Sequence, residues 1–150
     1  GNGAAILLFN SERKTVVLTR QFRLPVFVNG HDGLLIEVAA GLLEGAAPEE
    51  RIRDEAEEET GYRVHHVQKV FEAYMSPGSV TEKLHFFIAE YDASAKVSEG
   101  GGLEEETEEL EVLEWSFADA LAAFDRGEIC DAKTIMLLQY AAMKNIFTAI

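Results

Sequence analysis

Three glutamates, Glu55, Glu58 and Glu59, lie in a stretch from Gly41 to Tyr62 that reads GLLEGAAPEERIRDEAEEETGY. Pro48 suits a first helical turn, where its missing N–H costs nothing. Glu49 and Glu50 follow it and offset the positive end of the helix dipole. Gly61 suits the position just past a helix end, where the chain turns left-handed. The pattern predicts a helix from about Pro48 to Thr60. On it Glu55 and Glu59, four residues apart, stack on one face, and Glu58 flanks them. Carboxylates at that spacing repel each other, and a hard divalent cation reverses the sign. Mg²⁺ takes oxygen ligands, keeps several waters, and sits between one or two carboxylates and substrate phosphates. An acidic run by itself is more often a solvated helix face. Here the apolar stretch LLIEVAAG, Leu34 to Gly41, comes first, so the helix starts near a strand end.

The surrounding elements must hold that helix. AAILLF (4–9) and TVVLTRQFR (15–23) are apolar and β-branched, with a polar turn between them, and predict a hairpin. Arg20 and Arg23 at its end are surface charges or, for Arg23, a partner for a phosphate or nucleobase. Leu24 to Gly33 is expected to be a loop, and Leu34 to Ala40 a strand. Glu37 inside that strand needs a partner, either a structural one or a substrate. After the helix, strands are expected over Val64–Met75 and Lys83–Tyr91, separated by the turn Ser76-Pro77-Gly78. His65 and His66 are adjacent, so on a strand they would face opposite sides and make no ligand pair. Glu82 precedes the second strand and is a site candidate. Asp92 to Glu109 contains three glycines and clustered acids. It is either a solvated loop or a catalytic loop carrying one more carboxylate. Glu111–Phe117 predicts a strand, Ser116 an N-cap with Asp119 at N3, and Asp131 the cap of a last helix over about Ala132–Asn145. The order of elements predicts an α+β fold, an α/β/α sandwich with a mixed sheet.

Composition narrows the function. The chain has 150 residues, 47% of them hydrophobic, enough for one well-packed domain. Its net charge of −14 and pI near 4.6 argue against nucleic acid binding, which rests on neutralising phosphates. A phosphate-bearing substrate would need a metal to bridge it to so acidic a protein. One cysteine, Cys130, fits a reducing compartment, so a cytoplasmic location is expected. No long apolar run is present, so no membrane partner is expected. The chain starts at Gly1, and further N-terminal residues are expected to precede it.

With these elements in place, the chain resembles the Nudix hydrolases. Their box is a glycine, a short loop, then a helix carrying Arg-Glu, an apolar residue, any residue, Glu-Glu, any residue, Gly and an apolar residue. Glu55, Ala56, Glu58, Glu59, Gly61 and Tyr62 match it. The spacing from Gly41 to Glu55 is one residue short. Asp54 stands before Glu55, with Arg53 one place earlier, and Ala46 or Ala47 replaces the first box glutamate. The short spacing is shared with the GDP-mannose pyrophosphatases, a branch beside the ADP-ribose pyrophosphatases. The likeness continues through GNGAAILLFN, VVLTRQFR, YMSPGSVTEKLHFFIAEYD, the triple glycine with its acids, and GEICDAKTIMLLQY.

The resemblance implies one Nudix domain over residues 1–150. It implies Mg²⁺, with Mn²⁺ as a substitute, on Glu55, Glu59 and the Ala40 carbonyl, completed by a loop carboxylate. Glu108 best matches that position, and Glu106 is the alternative because the loop is two residues longer. Glu108 or Glu106 would act on the attacking water, with Glu59 catalytic as a metal ligand. Substrate contacts would fall to Arg23, Ala40, Gly41, Leu42, Glu59, Glu82, Glu108 and Lys133, although Lys133 also reads as an exposed charge on the last helix. A homodimer is implied, built in the family by N-terminal strands expected to be missing here. The expected activity is hydrolysis of a nucleoside diphosphate sugar, GDP-mannose foremost. The alternatives are ADP-ribose hydrolysis, a non-catalytic nucleotide-binding module, or an acidic interaction protein without a ligand.

Overall fold

In a computed structural model the described residues are 1–104 and 109–147. Among them seven strands form one sheet: β1 (Gly3–Asn10), β2 (Thr15–Phe22), β3 (Leu34–Glu37), β4 (Ala39–Leu42), β5 (Gln68–Tyr74), β6 (Lys83–Glu90) and β7 (Glu111–Ser116). The main path runs β3-β2-β1-β6-β5, with β4 on β1 and β7 on β2. β1 and β6 are parallel and the other pairs antiparallel. The sheet is therefore mixed, as expected.

β1 is apolar from Ala4 to Phe9 because both its faces are covered. Ala4, Ile6 and Leu8 pack under α2 (Pro48–Thr60) with Ile52, Ala56 and Tyr62. Ala5 and Leu7 pack on the other side against α3 (Phe117–Asp125) and α4 (Ala132–Met143), through Ala120, Leu137 and Leu138. This is the α/β/α sandwich. No helix among the described residues is long and apolar enough to cross a membrane.

The helix over Pro48–Thr60 has the expected bounds, with Gly61 left-handed at its end. Ser116 and Asp131 cap α3 and α4 by accepting from Asp119 N and Thr134 N. Three expectations change. The loop at 24–33 holds a short helix, α1 (Leu24–Val28), because Pro25 is already set for a first turn and Phe27 N reaches Arg23 O at 3.1 Å. The strand over Leu34–Ala40 is two strands. At Val38 the N–H leaves the sheet and donates to Thr134 Oγ1 at 2.9 Å, so β3 pairs with β2 while β4 crosses to β1. The strand over Val64–Met75 begins only at Gln68, since Tyr62 and Arg63 pair with Lys96 and Ala95.

Candidate active site

β4 and α2 bring the carboxylates to one wall. Their packing requires Gly41: a Cβ there would meet the Glu55 carboxylate, so the missing side chain is the space Glu55 occupies. Glu59 is fixed from the same strand, accepting from Ala40 N at 3.1 Å. Both glutamates are 5% exposed, although they are charged residues on a polar helix. Buried carboxylates need partners, and each is held: Glu59 by Ala40, and Glu55 by Arg51 in an i,i+4 ion pair.

The opposite wall is cationic and is organised by Glu37, the charge inside β3. Glu37 is 3% exposed and accepts from Arg23 Nε at 2.8 Å and Arg23 Nη2 at 3.3 Å, the fork geometry suited to a carboxylate. Its Oε1 also accepts from Lys133 Nζ. Asp131 takes the same ammonium at 3.0 Å with both oxygens and still caps α4 through Thr134. Burial pushes the Lys133 ammonium down, but Asp131 and then Glu37 outweigh it and leave its pKa raised. Arg23 behaves alike: burial lowers it, while Glu37, then Glu59 and Asp131, hold it raised.

Between the walls lies a cavity of about 640 Å³. Arg23, Ala40, Gly41, Leu42, Glu55, Glu59, Glu82 and Lys133 all line it. Thus every described residue expected to hold the metal or the substrate comes to one place, from β4, two loop positions and two helices. Glu106 and Glu108 lie outside the described residues. Lys133 is partly buried and ion-paired, its side chain 14% exposed, rather than an exposed charge. Glu37, left open between pairing and contact, is the paired hub of the cation wall. Arg51 and Glu44 also line the cavity and were not singled out. The i,i+4 spacing of Arg51 to Glu55 was the available signal.

The triple glycine adds a second support. Gly100, Gly101 and Gly102 all have positive φ. Gly101 N and Gly102 N donate to the carbonyls of Glu59 and Glu58 at 2.8 and 3.0 Å, satisfying the open end of α2. A Cβ at Gly100 would meet the backbone of Thr60. These glycines therefore bind the loop to the end of the acidic helix.

Among the described residues no three Asp, Glu, His or Cys side chains converge as a metal-holding group. The oxygen set is two buried carboxylates beside the Ala40 backbone, which fits a hard divalent cation that keeps part of its water. His65 and His66 line a separate cleft of about 500 Å³.

The sequence pattern described as NUDIX domain matches residues 1–138. This chain belongs to the Nudix family. Curated Nudix relatives are similar over nearly all of it. It is 57% identical over 148 residues to the GDP-mannose pyrophosphatase of Pectobacterium atrosepticum, covering 98% of this chain and 76% of that protein. It is 60% identical over 147 residues to the GDP-mannose pyrophosphatase of Salmonella typhimurium, covering 97% and 76%. The corresponding Yersinia enterocolitica protein is 56% identical over 147 residues. The Nudix helix is α2, and its acidic face is the carboxylate wall.

Proposed function

We propose that this chain hydrolyses the pyrophosphate bond of a nucleoside diphosphate sugar, with GDP-mannose and water giving GMP and mannose 1-phosphate. The observation that carries the reading is one cavity with two buried carboxylates on one wall and two pre-paired cations on the other, in a chain whose relatives are named for this reaction.

Glu55, Glu59 and the Ala40 carbonyl would hold a divalent cation, Mg²⁺ with Mn²⁺ as a substitute. When bound, it would neutralise phosphate oxygens and make the attacking water more acidic. Glu59 is kept in place by the Ala40 N–H, and Glu55 by the space over Gly41. Arg23 and Lys133 meet the substrate already positioned by Glu37, so little side-chain freedom is lost on binding. Gly41, Leu42 and Glu82 complete the substrate contacts. Glu108, or Glu106, orients the water and takes its proton as the new P–O bond forms and the anhydride P–O bond breaks. Residues 1–150 act as a single Nudix domain, in a homodimer, in the cytoplasm.

The test is product release from a panel of GDP-mannose, ADP-ribose and other nucleotide sugars, with Mg²⁺, with Mn²⁺ and with chelator. Fastest metal-dependent cleavage of GDP-mannose is expected. Preference for ADP-ribose would replace the substrate and keep the chemistry. Tight binding without any cleavage would sink the hydrolase reading.

A further inference from the structure

Arg51 stands one turn before Glu55 on α2 and, among the described residues, reaches two carboxylates and a backbone carbonyl. Its Nη2 pairs with Glu55 Oε1, its Nη1 lies 3.6 Å from Glu58 Oε2, and its Nε donates to the Leu42 carbonyl at 3.1 Å. Its side chain is only 16% exposed, so it is a fixed part of the wall. The neighbouring basic residue serves elsewhere: Arg53 Nη1 reaches the His65 carbonyl at 3.5 Å. Asp54, directly before Glu55, is exposed. Arg51 therefore bridges strand β4 and two glutamates of the acidic face.

Glu55 Oε1 is also the oxygen that lies over Gly41, on the cavity lining. A guanidinium and a divalent cation would seek the same oxygen, and the lone pairs that face Arg51 cannot serve both fully. We propose that Arg51 competes with a divalent cation for Glu55, so that this arginine sets the metal affinity of the site while pinning α2 to β4. By linkage, whatever the guanidinium gains at Glu55 is withheld from the metal, and removing it returns that coupling. The inference rests on the metal-binding reading above and adds a determinant to it.

The test is Mn²⁺ binding by titration calorimetry on chelator-stripped protein, together with its melting temperature. Arg51→Met should bind Mn²⁺ about tenfold more tightly than wild type. Its metal-free melting point should fall by about 3 °C, and Mn²⁺ should restore more of it than in wild type. Arg51→Lys keeps the charge but loses the fork that joins Leu42 and Glu55. Its affinity should fall between the two. An Arg51→Lys affinity equal to wild type would mean long-range repulsion and not contact, and would overturn the proposal. So would unchanged or weaker binding in Arg51→Met while wild type binds. No saturable binding in either protein would remove the metal reading and this proposal with it.

Discussion

The two walls of the cavity handle charge in opposite ways. On the cation wall Arg23 and Lys133 face Glu37 and Asp131, two positive groups against two negative ones, all within hydrogen-bond distance. Among the described residues of the carboxylate wall, Glu55 and Glu58 share Arg51 and Glu59 takes the Ala40 N–H, three negative groups against one positive. The balanced wall is a device for placing side chains. The unbalanced wall would, on the proposed function, draw in a cation. In the handling of a diphosphate they would divide the work between binding and chemistry.

The largest expected effect breaks the unbalanced wall. Glu59→Gln or Glu55→Gln should lower kcat/KM roughly a thousandfold, the loss of several kcal/mol of metal-derived stabilisation at about 1.4 kcal/mol per tenfold. The melting temperature should barely move in Glu59→Gln, where a neutral amide relieves repulsion, and should fall by about 3 °C in Glu55→Gln, which gives up the ion pair with Arg51. Near-normal turnover of Glu59→Gln at saturating Mg²⁺ would end the proposed mechanism.

Breaking the balanced wall should look different. Glu37→Gln takes the carboxylate from Arg23 and leaves Lys133 with Asp131 alone, so stability and binding fall together. About 2 kcal/mol of stability should be lost, less than the ~3–5 of a fully buried pair because Arg23 is 43% exposed and Lys133 keeps Asp131. KM should rise about tenfold, with kcat falling less. A denaturant melt and a KM measurement check both. An unchanged KM would make Glu37 a structural residue only.

Gly41→Ala sharpens the comparison by moving a carboxylate without altering charge. The added methyl meets the end of the Glu55 side chain, which can swing away, so stability should change by less than about 1 kcal/mol. Activity should nonetheless drop about tenfold to a hundredfold, as expected when a catalytic group is displaced by about 1 Å. Equal losses of stability and activity would contradict this.

The smallest effect concerns pH. The Lys133 pKa is raised in the folded chain above the ordinary 10.5. Its contribution is thus fully present below about pH 10.5 and is lost as pH rises through the folded value. The stability gap between wild type and Lys133→Met should be flat from neutral pH to about 10 and narrow beyond 10.5. A gap that stayed flat as the pH rose well past 10.5 would show that the pairing is not what holds this lysine.

Much of the carboxylate wall was legible because its signals are local. Pro48, Gly61 and the spacing of Glu55 to Glu59 all act within one helix, and periodicity reports that directly. Arg23 and Glu82 stood out only as single charges near strand ends, and family likeness was needed to join them with Lys133, since no local pattern links positions so far apart. The division of the segment 34–42 at Val38 was hidden, because it depends on Thr134 taking one backbone N–H across the core. The helix at Leu24–Val28 was missed where turn residues outweighed a single well-placed proline. The triple glycine looked like freedom, but its positive φ values serve to dock it on α2.

The pairing of β1 has a consequence for how the molecule comes into being. This first strand waits for β4 and for β6, with Gly3 beside Leu84, and the cation wall waits for Lys133 on the last helix. Contacts so distant along the chain form late, after costly loop closure, and slow the search for the native state. A nascent chain leaving the ribosome from its N-terminus would carry the whole acidic helix long before it could grip a nucleotide sugar. The architecture would thus make the proposed turnover a report on completed folding, with partly made chains inert.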